Sequence, residues 1–457
     1  MGELFGTDGV RGRANVYPMD PETVLRLGKA IGRYFKGHYP RPRILIGKDT
    51  RISGYMLEQA LGSGICSVGV HVSFLGPIPT PGIAYLTRGL RACAGIVISA
   101  SHNPYDDNGI KIFSADGYKL PDDVEDRLEA MMAEESDASH PLVGGDIGTA
   151  KRIDDAMGQY AVFLKEQFPK KLTLEGLRIV LDCANGAAYK VAPKVIEELG
   201  AETFLLGVHP NGVNINEDCG ALHPEKLREQ VKLYKADIGL ALDGDADRLV
   251  VIDDKGQILD GDEILAICGI EMIKRGTLRD NTVVATIMSN GGLEKALQRH
   301  GGKLLRTKVG DRYVVEEMRR GDYSLGGEAS GHLVFKHAST TGDGILAALH
   351  LLEIILESGK PVSELRRCMQ RLPQVVESIR VARKVPFDDL PTVQKMVSEI
   401  EKTLGDEGRV LVRYSGTESK ARVMMEGPDA DYLENMTAAL CQEITASIGR
   451  MQGGAKP

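Results

Sequence analysis

The stretch Ala94–Phe113 reads A-G-I-V-I-S-A-S-H-N-P-Y-D-D-N-G-I-K-I-F. Its first half sets Ile96, Val97 and Ile98 beside a glycine, and a β-branched run of this kind predicts a short buried strand. The strand stops at Ser99–Pro104, where side chains become small and polar and Pro104 bars further ladder pairing. Open α/β sheets place ligands just beyond the carboxyl ends of their strands. Ser101 is therefore a nucleophile candidate. The same residues also suit an ordinary turn, because Ser, Asn and Pro are favoured there for backbone reasons. Taken alone, the stretch leaves both readings open.

A second segment repeats the design. Ala236–Leu249 reads A-D-I-G-L-A-L-D-G-D-A-D-R-L, an apolar strand running into Asp243, Asp245 and Asp247. In an extended conformation the three alternating carboxylates point the same way. Crowded carboxylates repel unless a cation neutralises them, and an all-oxygen donor set without Cys or His suits one hard divalent ion such as Mg2+. The spacing is not that of a calcium EF-hand, which needs a fixed glycine and a closing Glu.

Two further segments carry donors. Arg409–Ala421 reads R-V-L-V-R-Y-S-G-T-E-S-K-A, with Arg422 next. Arg413, Ser415, Gly416, Thr417 and Arg422 together offer guanidinium, hydroxyl and amide groups of the kind that clamp a phosphate dianion. In L-G-G-E-A-S-G-H, Glu328, Ser330 and His332 alternate, so they can face one ligand and suit sugar hydroxyls or an amine. Phe5–Gly12, F-G-T-D-G-V-R-G, reads as a glycine-rich loop that packs near an anion or as a mobile N-terminal turn. Lys111 lies on a β-period segment, where a solubility charge on an edge strand is the plain alternative to a functional role.

Five of these motifs, F-G-T-D-G-V-R-G, I-S-A-S-H-N-P, D-G-D-A-D-R, G-E-A-S-G-H and R-Y-S-G-T-E, fall along nearly the whole chain. In their type and order the sequence resembles the α-D-phosphohexomutase family. The resemblance implies an isomerase phosphorylated on Ser101, with Mg2+ held by Asp243, Asp245, Asp247 and a phosphoserine oxygen. A sugar bisphosphate serves as primer and intermediate, and its two ends exchange places at the serine. It implies that Arg11 and Arg248 lie near the transferring group and that Arg413 grips the distal phosphate. Lys111 and His332 stand as unranked candidates for proton transfer. V-H-P-N-G-V-N-I-N at Val208–Asn216 resembles a stretch of the glucosamine-type branch. That branch interconverts glucosamine 6-phosphate and glucosamine 1-phosphate, supplying UDP-N-acetylglucosamine and cell-wall precursors. Relatives commonly show Gln at the position of Ala329 and Pro at those of Tyr414 and Ser419, which bears on sugar selectivity more than on reaction type. Mutases of glucose or mannose phosphates, a metal-dependent phosphatase and a phosphosugar sensor are the rival readings.

Length and composition set the bounds. At 457 residues the chain exceeds what one core usually serves. A formal charge of −8 argues against a nucleic-acid partner, while a local arginine cluster still admits anionic phosphosugars. The seven cysteines are scattered and read as reduced. No apolar run reaches membrane-spanning length and no signal peptide opens the chain, so a cytoplasmic protein without a membrane partner is expected. A homodimer is allowed but not required. Strand, glycine loop and helix recur in three segments, giving expected domains at 1–155 (nucleophile), 156–255 (metal) and 256–370 (sugar recognition). Residues 371–457 alternate differently and predict an α+β phosphate-clamp domain. The expected fold is thus α/β, three similar domains plus an α+β unit, with mixed sheets around a central cleft as the resemblance implies.

Overall fold

The computed structural model describes residues 4–6, 8–134, 142–414 and 419–453. Two compact units result: Met1–Ser289 with Leu297–Cys368, and Asn290–Ala296 with Met369–Pro457.

The first unit holds three sheets. In the six-stranded sheet the order is Val10–Arg13, Asp107–Ser114, Ala94–Ile98, Arg43–Lys48, His71–Pro77 and Ala150–Arg152. Its centre is parallel, and the Asp107–Ser114 strand returns antiparallel to Ala94–Ile98. The Ala94–Ile98 strand is buried throughout, as a parallel-sheet strand covered on both faces must be. Helices Pro21–His38 and Ser53–Ser67 pack together through glycines. A Cβ on Gly28 would meet Leu61 O at 2.4 Å, so only glycine allows that approach.

Phe5–Gly12 is not simply a loop. Val10 begins a strand, Val10–Arg13, that pairs antiparallel with Asp107–Ser114, and Lys111 is therefore interior rather than on an edge. Its side chain is only 3% exposed.

The second sheet runs Ile258–Leu259, Leu249–Asp253, Ile238–Leu242, Arg178–Asp182, Glu202–Leu206. The third runs Lys303–Thr307, Thr282–Thr286, Leu325–Gly327, Leu333–Phe335. Both are mixed, because the second adds two strands by antiparallel pairing and the third adds one to a parallel core. The long apolar helix Gly344–Ser358 begins where it does because Asp343 caps it by accepting the Leu346 N–H at 2.9 Å.

That cap yields a pH prediction. Asp343 also accepts the Tyr160 hydroxyl at 2.7 Å, and burial pushes its pKa up to about 6 against these hydrogen bonds. A carboxyl raised on folding holds its proton more tightly in the folded state. The stability it contributes is present below about pH 4 and lost as pH rises through about 6. D343N cannot ionise, so between these values it should gain on the wild type by up to about 3 kcal/mol. The difference between the two thermal midpoints across pH reads this directly. A constant difference would show an ordinary carboxyl.

The second unit is an antiparallel sheet, Gln374–Arg380, Lys420–Glu426, Arg409–Tyr414, packed by helices Pro391–Leu404 and Ala430–Gly453. It also takes in Asn290–Ala296, the start of the helix after Thr282–Thr286: Gly291 N–H donates to Glu426 Oε1 at 3.0 Å, and Asn290 exchanges two 3.0 Å hydrogen bonds with the Leu372 backbone. Among the described residues, no helix is long and apolar enough to cross a membrane. All seven cysteines are free.

Candidate active site

Ser101 sits just past the strand Ala94–Ile98, as its sequence context suggests, and takes a left-handed φ of 50°. It is 1% exposed, and its Oγ donates to Asp243 Oδ2 at 2.6 Å across 142 positions of chain. The Ser101 loop and the triple-Asp loop are thus in direct contact.

The carboxylates converge, but not by strand alternation. Residues after Leu242 leave the strand into a turn in which Ala246 has φ 58°. A Cβ on Gly244 would strike Ser101 O at 2.6 Å, so glycine lets the two loops close on each other. Asp243, Asp245 and Asp247 each present an oxygen within 4.8 Å of the others. Oδ1 of Asp245 and Oδ1 of Asp247 are buried without a hydrogen-bond partner. Burial and then the neighbouring carboxylates, Asp247 and Asp245, push Asp243 well up. Burial and Asp245 raise Asp247 as well. For Asp245 burial acts upward too, but Lys111 and the Thr80 hydroxyl outweigh it and hold the group below the usual carboxylate range. An anionic, oxygen-only, partly orphaned cluster of this kind fits a hard divalent cation.

Cations surround it. Lys111 Nζ lies 3.2 Å from Asp245, 3.2 Å from Asp8 and 3.8 Å from Asp247. Burial would lower its pKa, yet Asp245, Asp8 and Asp247 together raise it, so it stays an ammonium. Arg11 pairs with Asp8, and Arg248 Nε stands 3.8 Å from Asp247. Burial first, then Arg248 and Arg11, lower His102 to about 4, which leaves a neutral ring with Nδ1 3.3 Å from Ser101 Oγ.

The third-sheet loop is clipped to this centre. Arg248 and His332 form an isolated antiparallel bridge, and Leu249 N–H donates to Gly331 O at 3.0 Å. The expected row of alternating side chains does not form. Residues 329–330 are a turn, Gly331 has φ 91°, Ser330 is exposed and His332 is buried. Glu328 accepts the Gly310 N–H at 3.1 Å and supports the charge of Arg248. His332 Nε2 accepts the Gly342 N–H at 3.1 Å and lies 3.5 Å from Asp311, while its Nδ1 has no protein partner.

In the second unit Arg413 and Arg422 face each other across the hairpin. Burial and then Arg422 lower the Arg413 pKa, a repulsion that an anion would relieve. Ser415, Gly416 and Thr417 lie outside the described residues.

Several site residues escaped the sequence reading. Thr80 donates its hydroxyl to Asp245 at 2.7 Å from the first turn of helix Thr80–Gly89, which follows strand His71–Pro77 of the six-stranded sheet. The apolar strand running into P-I-P-T-P-G was the available signal. Asp8, Lys119 and Asp311 form a chain of ion pairs leading to His332; no local pattern marks it.

Comparison with known proteins gives matches along nearly the whole chain. Residues 2–139, 159–256 and 260–372 match phosphoglucomutase/phosphomannomutase alpha/beta/alpha domains I, II and III, and residues 378–443 match the C-terminal domain of the same family. The chain is 57% identical over 454 residues to phosphoglucosamine mutase of Geobacter sp. (strain M21), covering 99% of both. It is 56% identical over 453 residues to phosphoglucosamine mutase of Syntrophotalea carbinolica, covering 99% of this chain and 98% of that one. In fold it is similar to a phosphoglucomutase/phosphomannomutase family protein from Burkholderia thailandensis, with a TM-score of 0.81, 24% identity and 97% of each chain covered.

Proposed function

The chain belongs to the phosphoglucomutase/phosphomannomutase family, the α-D-phosphohexomutases, and from that premise we infer that it works as the phosphoglucosamine mutase of its cell. It is an isomerase that interconverts glucosamine 6-phosphate and glucosamine 1-phosphate through a phosphoserine intermediate. The observation that carries the reading is Ser101 Oγ held 2.6 Å from Asp243 within a cluster of three carboxylates. Glucosamine phosphates, rather than other hexose phosphates, follow from the relatives.

Ser101 carries the phosphoryl group in the resting enzyme. It gives that group to the free 1- or 6-hydroxyl of the bound sugar phosphate, making a bisphosphate, and then takes back the phosphate at the other end. A serine hydroxyl is a weak nucleophile at neutral pH, so the surroundings must supply charge and orientation. Mg2+ bound by Asp243, Asp245, Asp247 and a phosphoserine oxygen would neutralise charge on the phosphoryl oxygens. Arg11, Lys111 and Arg248 offset the same charge from the protein side. Because Lys111 is held as an ammonium by Asp245, Asp8 and Asp247, it serves electrostatics better than proton transfer. We assign the proton to His332, whose Nδ1 is the ring atom without a protein partner, its Nε2 being taken up by the Gly342 N–H. Glu328 and Ser330 read sugar hydroxyls. Arg413 and Arg422, with Ser415, Gly416 and Thr417, hold the phosphate that is not being transferred. The four expected domains divide these tasks as nucleophile, metal, sugar and clamp, and the cytoplasm, where sugar phosphates are made, is the proposed setting.

Assays with the 1- and 6-phosphates of glucosamine, glucose and mannose test the function. Fastest interconversion of the glucosamine pair with no phosphate release is expected. Preference for glucose or mannose phosphates would move the enzyme to another branch, and free phosphate in place of isomer would make it a phosphatase.

The clamp has its own test. R413K replaces a planar fork with a point charge, and a charge-assisted hydrogen bond contributes roughly 1.5 to 3 kcal/mol. Calorimetric affinity for either glucosamine phosphate should drop by roughly 10- to 150-fold. Unchanged affinity for both would remove Arg413 from the binding site.

A further inference from the structure

A buried ion pair lies beneath the nucleophile loop. Strand Arg43–Lys48 runs parallel beside Ala94–Ile98 with Lys48 opposite Ile98, so the loops leaving the two carboxyl ends are neighbours. Arg51, in the first of these loops, is 0% exposed. Its Nε donates to Asp49 Oδ2 at 2.7 Å. Nη2 donates to Ser101 O at 2.9 Å and Asn103 O at 2.8 Å, and Nη1 to Asp107 O at 3.1 Å and also to Pro104 O. Every donor of the guanidinium is used. Asp49 Oδ2 also accepts the Ser99 hydroxyl at 2.6 Å, and Ser99 Oγ accepts the Ser101 N–H at 2.9 Å. From the second-sheet side, Asn216 Nδ2 donates to Ser101 O at 2.9 Å and Asn103 O at 3.1 Å.

We propose that Arg51, backed by Asp49 and Asn216, is the positioning residue of the nucleophile, fixing the peptide groups on both sides of Ser101 so that its Oγ meets the transferring phosphoryl group. Both the amide and the carbonyl of Ser101 trace back to one ion pair. A left-handed non-glycine residue persists only where its surroundings over-determine it, and Ser101 has such surroundings. A buried ion pair is seldom more stabilising than apolar side chains of the same volume; its distinctive contribution here is the geometry of the four carbonyls it gathers. Arg51 has no access to a ligand and acts only through Ser101. The inference rests on Ser101 being the phosphorylated residue.

The test is R51K. Three donors on a flexible stem cannot hold four carbonyls and a carboxylate in one plane, and a displacement of about 1 Å at a reacting atom costs about 100-fold in rate. We expect folded R51K to lose about 100-fold in kcat with KM for glucosamine 6-phosphate little changed, and guanidinium ion in the buffer to restore turnover to R51A. Should the Arg51 variants fail to fold, N216A decides: it removes two hydrogen bonds to the same carbonyls and should lower kcat without changing KM or the melting temperature. A folded R51K or N216A with wild-type kcat, or with its loss in KM alone, overturns the proposal. S101A run alongside separates the claims. An active S101A removes the nucleophile itself, whereas an inactive S101A beside a fully active R51K removes only the positioning role.

Discussion

S101A should stay folded, bind glucosamine phosphates and lose at least about 1,000-fold in turnover. The side chain is small and 1% exposed, so its removal leaves little void. Its one strong partner is Asp243, which burial and the neighbouring carboxylates already push toward its neutral form. Losing the hydroxyl therefore leaves one buried acceptor less satisfied, a cost of about 1 to 3 kcal/mol that a large protein tolerates. The chemistry has no such tolerance, because both halves of the isomerisation use the same oxygen. Intact-mass measurement with peptide mapping should find one phosphoryl group on Ser101 of active wild-type protein and none on S101A. Fully active wild-type protein with no phosphate on Ser101 before substrate is added, or an S101A that still forms isomer, would reduce Ser101 to a turn residue.

Phosphorylation should also change the centre's mobility. A phosphoserine adds a charge of about −1.5 to −2 where Arg11, Lys111 and Arg248 converge. Without it those cations are balanced by Asp8, Glu328 and the Asp cluster. Dephosphorylated protein should stay inactive until a sugar bisphosphate primes it.

How much of this was legible in the sequence depends on how local each signal is. The strand Ala94–Ile98 and its polar end could be read because burial and termination are written in neighbouring residues. The acidic cluster was found for a partly mistaken reason. Alternation in an extended chain suggested convergent carboxylates, whereas the structure achieves convergence with a turn whose Ala246 is left-handed. The same reasoning failed at Glu328, Ser330 and His332, where a turn leaves Ser330 exposed and His332 buried. An edge-strand charge stayed open as the alternative for Lys111 because Val10–Arg13, four residues with a single buried apolar side chain, gave no strand signal. Thr80, Arg51 and Asn216 find their partners 165, 50 and 115 positions away. Contacts of that span are products of topology, and no local period encodes them.

D245N should cut turnover by at least about 100-fold while leaving phosphosugar affinity nearly intact. Asp245 is the member of the cluster that the protein keeps ionised, because Lys111 and the Thr80 hydroxyl outweigh the cost of its burial. Its Oδ2 is committed to those two donors, which leaves Oδ1 buried and unpartnered as the oxygen free for a cation. An amide of the same shape removes one negative charge and turns one acceptor atom into a donor. If that NH2 faces Lys111 and Thr80, the ammonium loses its nearest anion and meets a like-signed group. If it faces the cluster, it points hydrogens at the cation position. Neither orientation serves both neighbours, so the amide cannot copy the carboxylate. Metal affinity should weaken together with turnover. Mn2+ binding followed by electron paramagnetic resonance reads the first independently of the second, and calorimetry with glucosamine 6-phosphate checks that the sugar site is unharmed. Wild-type turnover of D245N at the same Mg2+ concentration, with Mn2+ bound as tightly as before, would mean that Asp245 is not a metal ligand and serves only to pair with Lys111.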